Sequence, residues 1–231
     1  MTDIPTLDQI DAARARLGDR VVKTPVHHWR GREIEDAMDP DTEIVLKLEC
    51  FQLTGTFKPR GALTVMLDLS RDALDRGVTT LSAGNHAIAA AYAAQILGSH
   101  AKVVMPRTAS PARVAIARSY GAEVVLVDDV QQASERVQQI ESEEGRTFVH
   151  PFEGPLTALG TASLVAHANG EGKGVFLQLG IGGLVVGGLT GVGGGLLWLE
   201  SSLRTGPWLF SRAPPREGPA AAIGASLSFE F

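Results

Sequence analysis

The chain has one cysteine, Cys50, two tyrosines and only 6% aromatic residues in 231. A single thiol excludes an internal disulfide and suits a reducing cytoplasm, and no motif around it marks a nucleophile. Lysine is scarce too: Lys23, Lys47, Lys58, Lys102 and Lys173 are all there are. Net charge is −5 and no basic tract occurs, which excludes nucleic acid as an expected partner. The opening Met1-Thr2-Asp3-Ile4-Pro5 lacks the basic-then-apolar order of a secretion signal. No metal site is expected.

What is present is apolar. At 44% hydrophobic, the chain can bury the core of one large domain or two small ones. Leu7, Ile10, Ala13 and Leu17 share one face of a helix predicted over Thr6–Leu17. Strand and helix then alternate: strand Ile44–Leu48, helix Pro59–Leu69, strand Val78–Leu81, helix Asn85–Leu97 ending at Gly98. Strand Lys102–Met105, helix Pro111–Tyr120, strand Glu123–Val127 and helix Gln131–Glu144 continue the series. The short connections predict an α/β fold, a parallel sheet with helices on both faces.

The second part differs. Fifteen of the 26 glycines follow Asn169, no aspartate follows Asp129, and Gly174–Leu199 carries no charge. That run is long enough to cross a membrane, and Gly183, Gly187, Gly191 and Gly195 recur at every fourth position. Its many glycines and the α/β region before it favour a buried strand, a glycine loop and a buried helix instead, so no membrane span is expected. From Arg204 onward Pro, Gly, Arg and Ser dominate without periodicity.

Two motifs carry chemistry. Gly55-Thr56-Phe57-Lys58-Pro59-Arg60-Gly61-Ala62 sets one lysine behind a small-residue turn, with an aromatic before it and a helix-starting proline after it. Ser82-Ala83-Gly84-Asn85-His86 ends a strand and opens a helix, where backbone N–H groups can converge on an anion. Each has a plainer reading: a solvated lysine, which Lys47 is expected to be, and a capped turn in which His86 does no proton chemistry. Their occurrence at adjacent strand ends, where open α/β sheets bind ligands, favours a site.

These residues resemble the threonine/serine dehydratase branch of the fold-type II pyridoxal phosphate enzymes, which also holds the serine racemases. Gly-Thr-Phe-Lys-Pro-Arg-Gly-Ala resembles that branch's lysine motif, and Ser-Ala-Gly-Asn-His-Ala its asparagine loop. Val103-Val104-Met105-Pro106 and Gly121-Ala122-Glu123-Val124-Val125 fall where the family places them, and the similarity runs from about Asp8 to Leu184. It implies a fold-type II, tryptophan synthase β-like architecture of two domains. Residues 1–50 and 146–199 would form an incomplete large cofactor domain, residues 51–145 a small domain, and residues 200–231 a tail without order. It further implies that Lys58 holds pyridoxal phosphate as an imine and moves protons at Cα. Phe57 would pack on the ring and Asn85 would bond its phenolic oxygen. Ser82, Ala83, Gly84, Asn85 and His86 would grip the substrate carboxylate. Gly180, Ile181, Gly182 and Gly183 would receive the cofactor phosphate.

The implied reaction is β-elimination of water from L-threonine or L-serine, giving a 2-oxo acid and ammonia, in a cytoplasmic homodimer. Pro59 stands where cysteine and threonine synthases carry aspartate, which favours elimination over replacement. Ala83 stands where the racemases carry a serine, and a methyl group cannot carry a proton. Serine racemase or a related hydroxy-amino-acid dehydratase is the alternative activity, and a catalytically impaired ligand-binding protein the other reading. Ile181 favours that last one, since a β-branched residue resists the conformations a phosphate loop needs. No resemblance is read beyond Gly188.

Overall fold

The computed structural model describes residues 5–32, 36, 43–164, 174–180 and 183–189. All of these belong to one compact unit, Met1–Glu200. Helix α1, Leu7–Leu17, starts at a capping box: Thr6 Oγ1 accepts from the Gln9 amide at 3.3 Å, and Gln9 Oε1 accepts from the Thr6 amide at 2.8 Å. Ile10, Ala13 and Leu17 are buried, as the helical spacing requires.

Strands β3 Val78–Leu81, β4 Ala101–Pro106, β5 Glu123–Val127 and β6 Thr147–Phe148 form a sheet in the order β5-β4-β3-β6 with every pair parallel. Helices α4 Asn85–Ile96, α5 Pro111–Ser119 and α6 Val130–Glu144 connect them. Successive β4 side chains divide between two cores. Val103 and Met105 pack with α4 alanines 87, 89, 91, 93 and 94, whereas Val104 packs with Ala133, Val137 and Ile140 of α6. The sheet is therefore covered on both faces, and β4 and β5 carry the apolar runs Val103–Pro106 and Val124–Val127 for that reason.

The second sheet departs from the expected all-parallel order. It runs β1-β2-β7-β8, from β1 Val26–Trp29, β2 Glu43–Lys47, β7 Gly174–Gly180 and β8 Gly183–Leu189; only β2 and β7 are parallel. Strand β1 escapes the sequence pattern because Val26, His27 and His28 are all exposed, so no alternation betrays it. The expected buried helix after the glycine segment is strand β8 instead. Val185 and Val186 favour a strand, and Gly187 and Gly188 weaken a helix.

Helix α2, Lys58–Met66, ends three residues earlier than predicted; α3, Arg71–Arg76, and α7, Pro155–Ala162, were not expected. Six and eight residues are too short for periodicity to reveal. Helix α2 packs on α4 and α7. It approaches α7 closely because Gly160 has no side chain: a Cβ there would lie 2.5 Å from both the Arg60 carbonyl oxygen and Thr64 Oγ1. Among the described residues no helix is long and apolar enough to cross a membrane.

Candidate active site

Lys58 is the first residue of α2 and is 8% exposed. Its Nζ donates to the Pro151 carbonyl at 3.0 Å and lies 4.1 Å from the Phe152 ring centroid and 5.1 Å from that of Phe57. A buried amine thus donates to a carbonyl and lies between two aromatic faces, each of which favours a cation. Phe57 is buried and Phe152 is half exposed.

The second motif reaches the same segment. His86 is buried, and its Nε2 lies 3.0 Å from the Val149 carbonyl; the acceptor requires that Nε2 carry the proton. Thr80 Oγ1 donates to that carbonyl at 2.8 Å, and the Val149 amide donates to the Thr79 carbonyl at 2.9 Å. Residues 149–151 therefore tie the start of α2 to the start of α4. His150 shapes the next turn, its Nδ1 accepting from the Phe152 amide at 3.1 Å and the Glu153 amide at 2.7 Å. Burial, first, and then the charge of Lys58 drive the His86 pKa down to about 4, against the backbone hydrogen bond that raises it. His86 is neutral at ordinary pH.

In the loop itself, Ser82 Oγ accepts from the Gly84 amide at 3.1 Å and the Ser82 amide donates to the Val104 carbonyl at 3.1 Å. Ala83 is exposed, Gly84 buried, and Ser82 and Asn85 half buried. Asn85 is the first residue of α4. Gly84 leaves room for a cation: a Cβ there would lie 2.8 Å from Arg113 Nη1 on α5. Of the four phosphate-loop candidates, Gly180 and Gly183 face each other across the β7–β8 pair, and Ile181 and Gly182 lie outside the described residues.

Several contributors were missed by sequence reasoning. Pro151 and Phe152 sit 93 and 94 residues from Lys58 in no motif, and Arg113 is one arginine of many. Beneath the lysine turn, Arg60 donates from Nε to Glu49 Oε2 and from Nη2 to Glu49 Oε1, both at 2.9 Å, and from Nη2 to the Val22 carbonyl at 3.0 Å. Glu49 is fully buried. Gln52 grips both polar groups of the Val22 backbone, at 2.8 and 3.0 Å. Lys47 is not the solvated charge expected: it is buried, and its Nζ donates to the Thr24 carbonyl at 2.6 Å. It is the last residue of β2 and lines a hollow together with residues of α1 and the 18–23 segment.

A family profile described as "Pyridoxal-phosphate dependent enzyme" matches residues 19–198. The match extends past Gly188, beyond which the motifs show no resemblance. A phenylserine dehydratase of Ralstonia pickettii is 50% identical over 195 residues, covering 83% of this chain and 58% of that protein. An L-threonine ammonia-lyase of Geobacter sulfurreducens is 37% identical over 182 residues, 77% of this chain and 44% of that protein. Maize serine racemase, a solved structure, superposes with a TM-score of 0.63 at 32% identity, over 70% of this chain and 48% of that one. The chain spans about half the length of the relatives it matches.

The residues present fit such a cofactor. An aldehyde needs an amine, a pyridine ring needs flat apolar faces, and its polar groups need donors. Lys58, the Phe57 and Phe152 rings, and the 82–86 loop supply these in turn. Thr54 Oγ1, in the turn before α2, is buried without a hydrogen-bond partner among the described residues, a polar group a ligand would satisfy.

Proposed function

Because this chain belongs to the pyridoxal-phosphate-dependent enzymes, of the threonine/serine dehydratase branch and fold-type II architecture, we propose that it eliminates water from a β-hydroxy amino acid such as L-threonine or L-serine. The observation that carries this reading is the Lys58 amine, buried between two aromatic rings and joined through residues 149–151 to the Ser82–His86 loop.

When bound, pyridoxal phosphate supplies an electron sink for the charge left at Cα. Lys58 holds it through Nζ and moves a proton at the substrate Cα. Phe57 would flank the ring, Asn85 would bond its phenolic oxygen, and Gly180, Ile181, Gly182 and Gly183 would receive the phosphate. Ser82, Ala83, Gly84, Asn85 and His86 would hold the substrate carboxylate, through loop N–H groups other than those of Ser82 and Gly84, which the Val104 carbonyl and Ser82 Oγ take up, with Arg113 adding charge from α5. The His86 side chain takes no proton; it anchors the loop to Val149. Loss of the β-hydroxyl as water, followed by hydrolysis, releases a 2-oxo acid and ammonia. Holding the Cα–H bond against Lys58 favours loss of that proton over cleavage of the other bonds at Cα.

A second substrate, 3-phenylserine, is favoured by one observation: the half-exposed Phe152 ring beside Lys58 offers an aromatic β-substituent a stacking partner, and a 50% identical relative is named for that substrate. The reading also takes the chain as a cytoplasmic homodimer, its one exposed thiol at Cys50 suiting a reducing compartment. Its large domain comprises 1–50 and 146–199 and its small domain 51–145, with β6 shared to the small sheet by pairing with β3. The test is to load the purified chain with pyridoxal phosphate, add threonine, serine or 3-phenylserine, and measure 2-oxo acid. Release that disappears in Lys58→Ala supports the reading, and release unchanged by that substitution contradicts it.

A further inference from the structure

Away from Lys58, a cavity of about 430 Å³ opens between α1, the 18–23 segment, β2 and the start of α2. Among the described residues its charged lining is Arg14, Lys23, Lys47 and Arg60 against a single carboxylate, Asp11. Arg14 Nη1 lies 3.1 Å from Asp11 Oδ1, and Arg60 is matched by buried Glu49 behind the wall. Two lysines then remain in excess. Lys23 stands exposed at the rim and Lys47 is buried at the floor, its Nζ bonded to a neutral carbonyl.

Gathering like charges around one hollow is unfavourable, and more so where water is partly excluded. Lys47 shows the strain: burial, first, and then the nearby Arg60, Lys23 and Arg14 hold its pKa below the usual lysine range, although Glu49 opposes them. A dianion in the cavity would reverse that balance. Its volume lies in the range of small-ligand pockets and exceeds what bare phosphate fills.

We propose that this cavity is an anion site separate from the Lys58 centre, taking a small phosphate monoester whose phosphate lies between Lys23 and Lys47. Ammonium groups recognise phosphate as point charges, without the planar fork a carboxylate pair would ask of arginine. The proposal does not rest on the catalytic reading: of the lining only Arg60 belongs to the Lys58 motif, and its charge is matched by Glu49, while Lys23 and Lys47 lie outside both motifs.

The experiment is calorimetric titration of the full chain with inorganic phosphate at constant ionic strength, chloride serving as the control. Saturable binding is expected for the unaltered chain. It should weaken about tenfold in Lys23→Gln and in Lys47→Met, one charge-assisted contact being lost in each, and stay unchanged in Lys58→Ala. Lys23 is exposed, so its variant folds even should the buried one fail. Heat no greater than with chloride, equal affinity in Lys23→Gln, or binding abolished by Lys58→Ala would each overturn the proposal, the last by placing the phosphate at the cofactor centre.

Discussion

At the residue scale, the site depends on which polar atoms the fold commits and which it leaves for a ligand. His86 is committed. Its folded pKa of about 4 lies below the unfolded 6.5, so the unfolded chain binds more protons between these values. Stability from this group is complete above about pH 6.5 and falls as pH drops toward 4, by roughly 3 kcal/mol in all. Denaturant melts across that window should show the slope, and His86→Gln should flatten it; an unchanged slope would mean another group titrates. Gly84 works differently. Alanine there displaces only the flexible end of Arg113, so the melting temperature should barely move while the affinity for the substrate carboxylate drops. Lys58 and the 82–86 loop were legible in sequence because each is a compact motif of unusual residues. Pro151, Phe152 and Val149 were not, since a backbone carbonyl can come from any residue and the contact spans the chain.

At the element scale, α2 carries the lysine of the proposed chemistry, and two close fits hold it. One is its crossing with α7. Gly160→Ala places a methyl group against backbone and a buried hydroxyl, and we expect about 1–3 kcal/mol of destabilisation by denaturant melt. The other is the Arg60–Glu49 pair. Glu49→Ala strands a buried guanidinium, which costs about 3–5 kcal/mol and loosens the turn that aims Lys58. Helices with eleven or more apolar-patterned residues, such as α1, α4 and α6, stood out in the sequence, as did the doubly covered strands β3, β4 and β5. The short α3 and α7 and the exposed β1 did not, because periodicity needs length and burial to register.

At the scale of the whole molecule, one sheet is parallel throughout and the other mixed, and the transition into the 149–152 segment brings both motifs together. A parallel sheet was legible from alternating strands and helices. The mixed order of the other was not, since pairing direction is set by partners distant in sequence, Glu43–Lys47 meeting Gly174–Gln178. Among the described residues three lysines are buried; Lys102 is ion-paired with Glu123 and Glu144, so Lys47 and Lys58 are the two that offer themselves to an aldehyde, told apart by aromatic faces at one and a cationic hollow at the other. The most direct measurement is therefore borohydride reduction of the chain with pyridoxal phosphate, followed by peptide mass mapping. The account expects the reduced adduct on Lys58 alone; an adduct on Lys47 with Lys58 unlabelled, or no adduct at all, would contradict it.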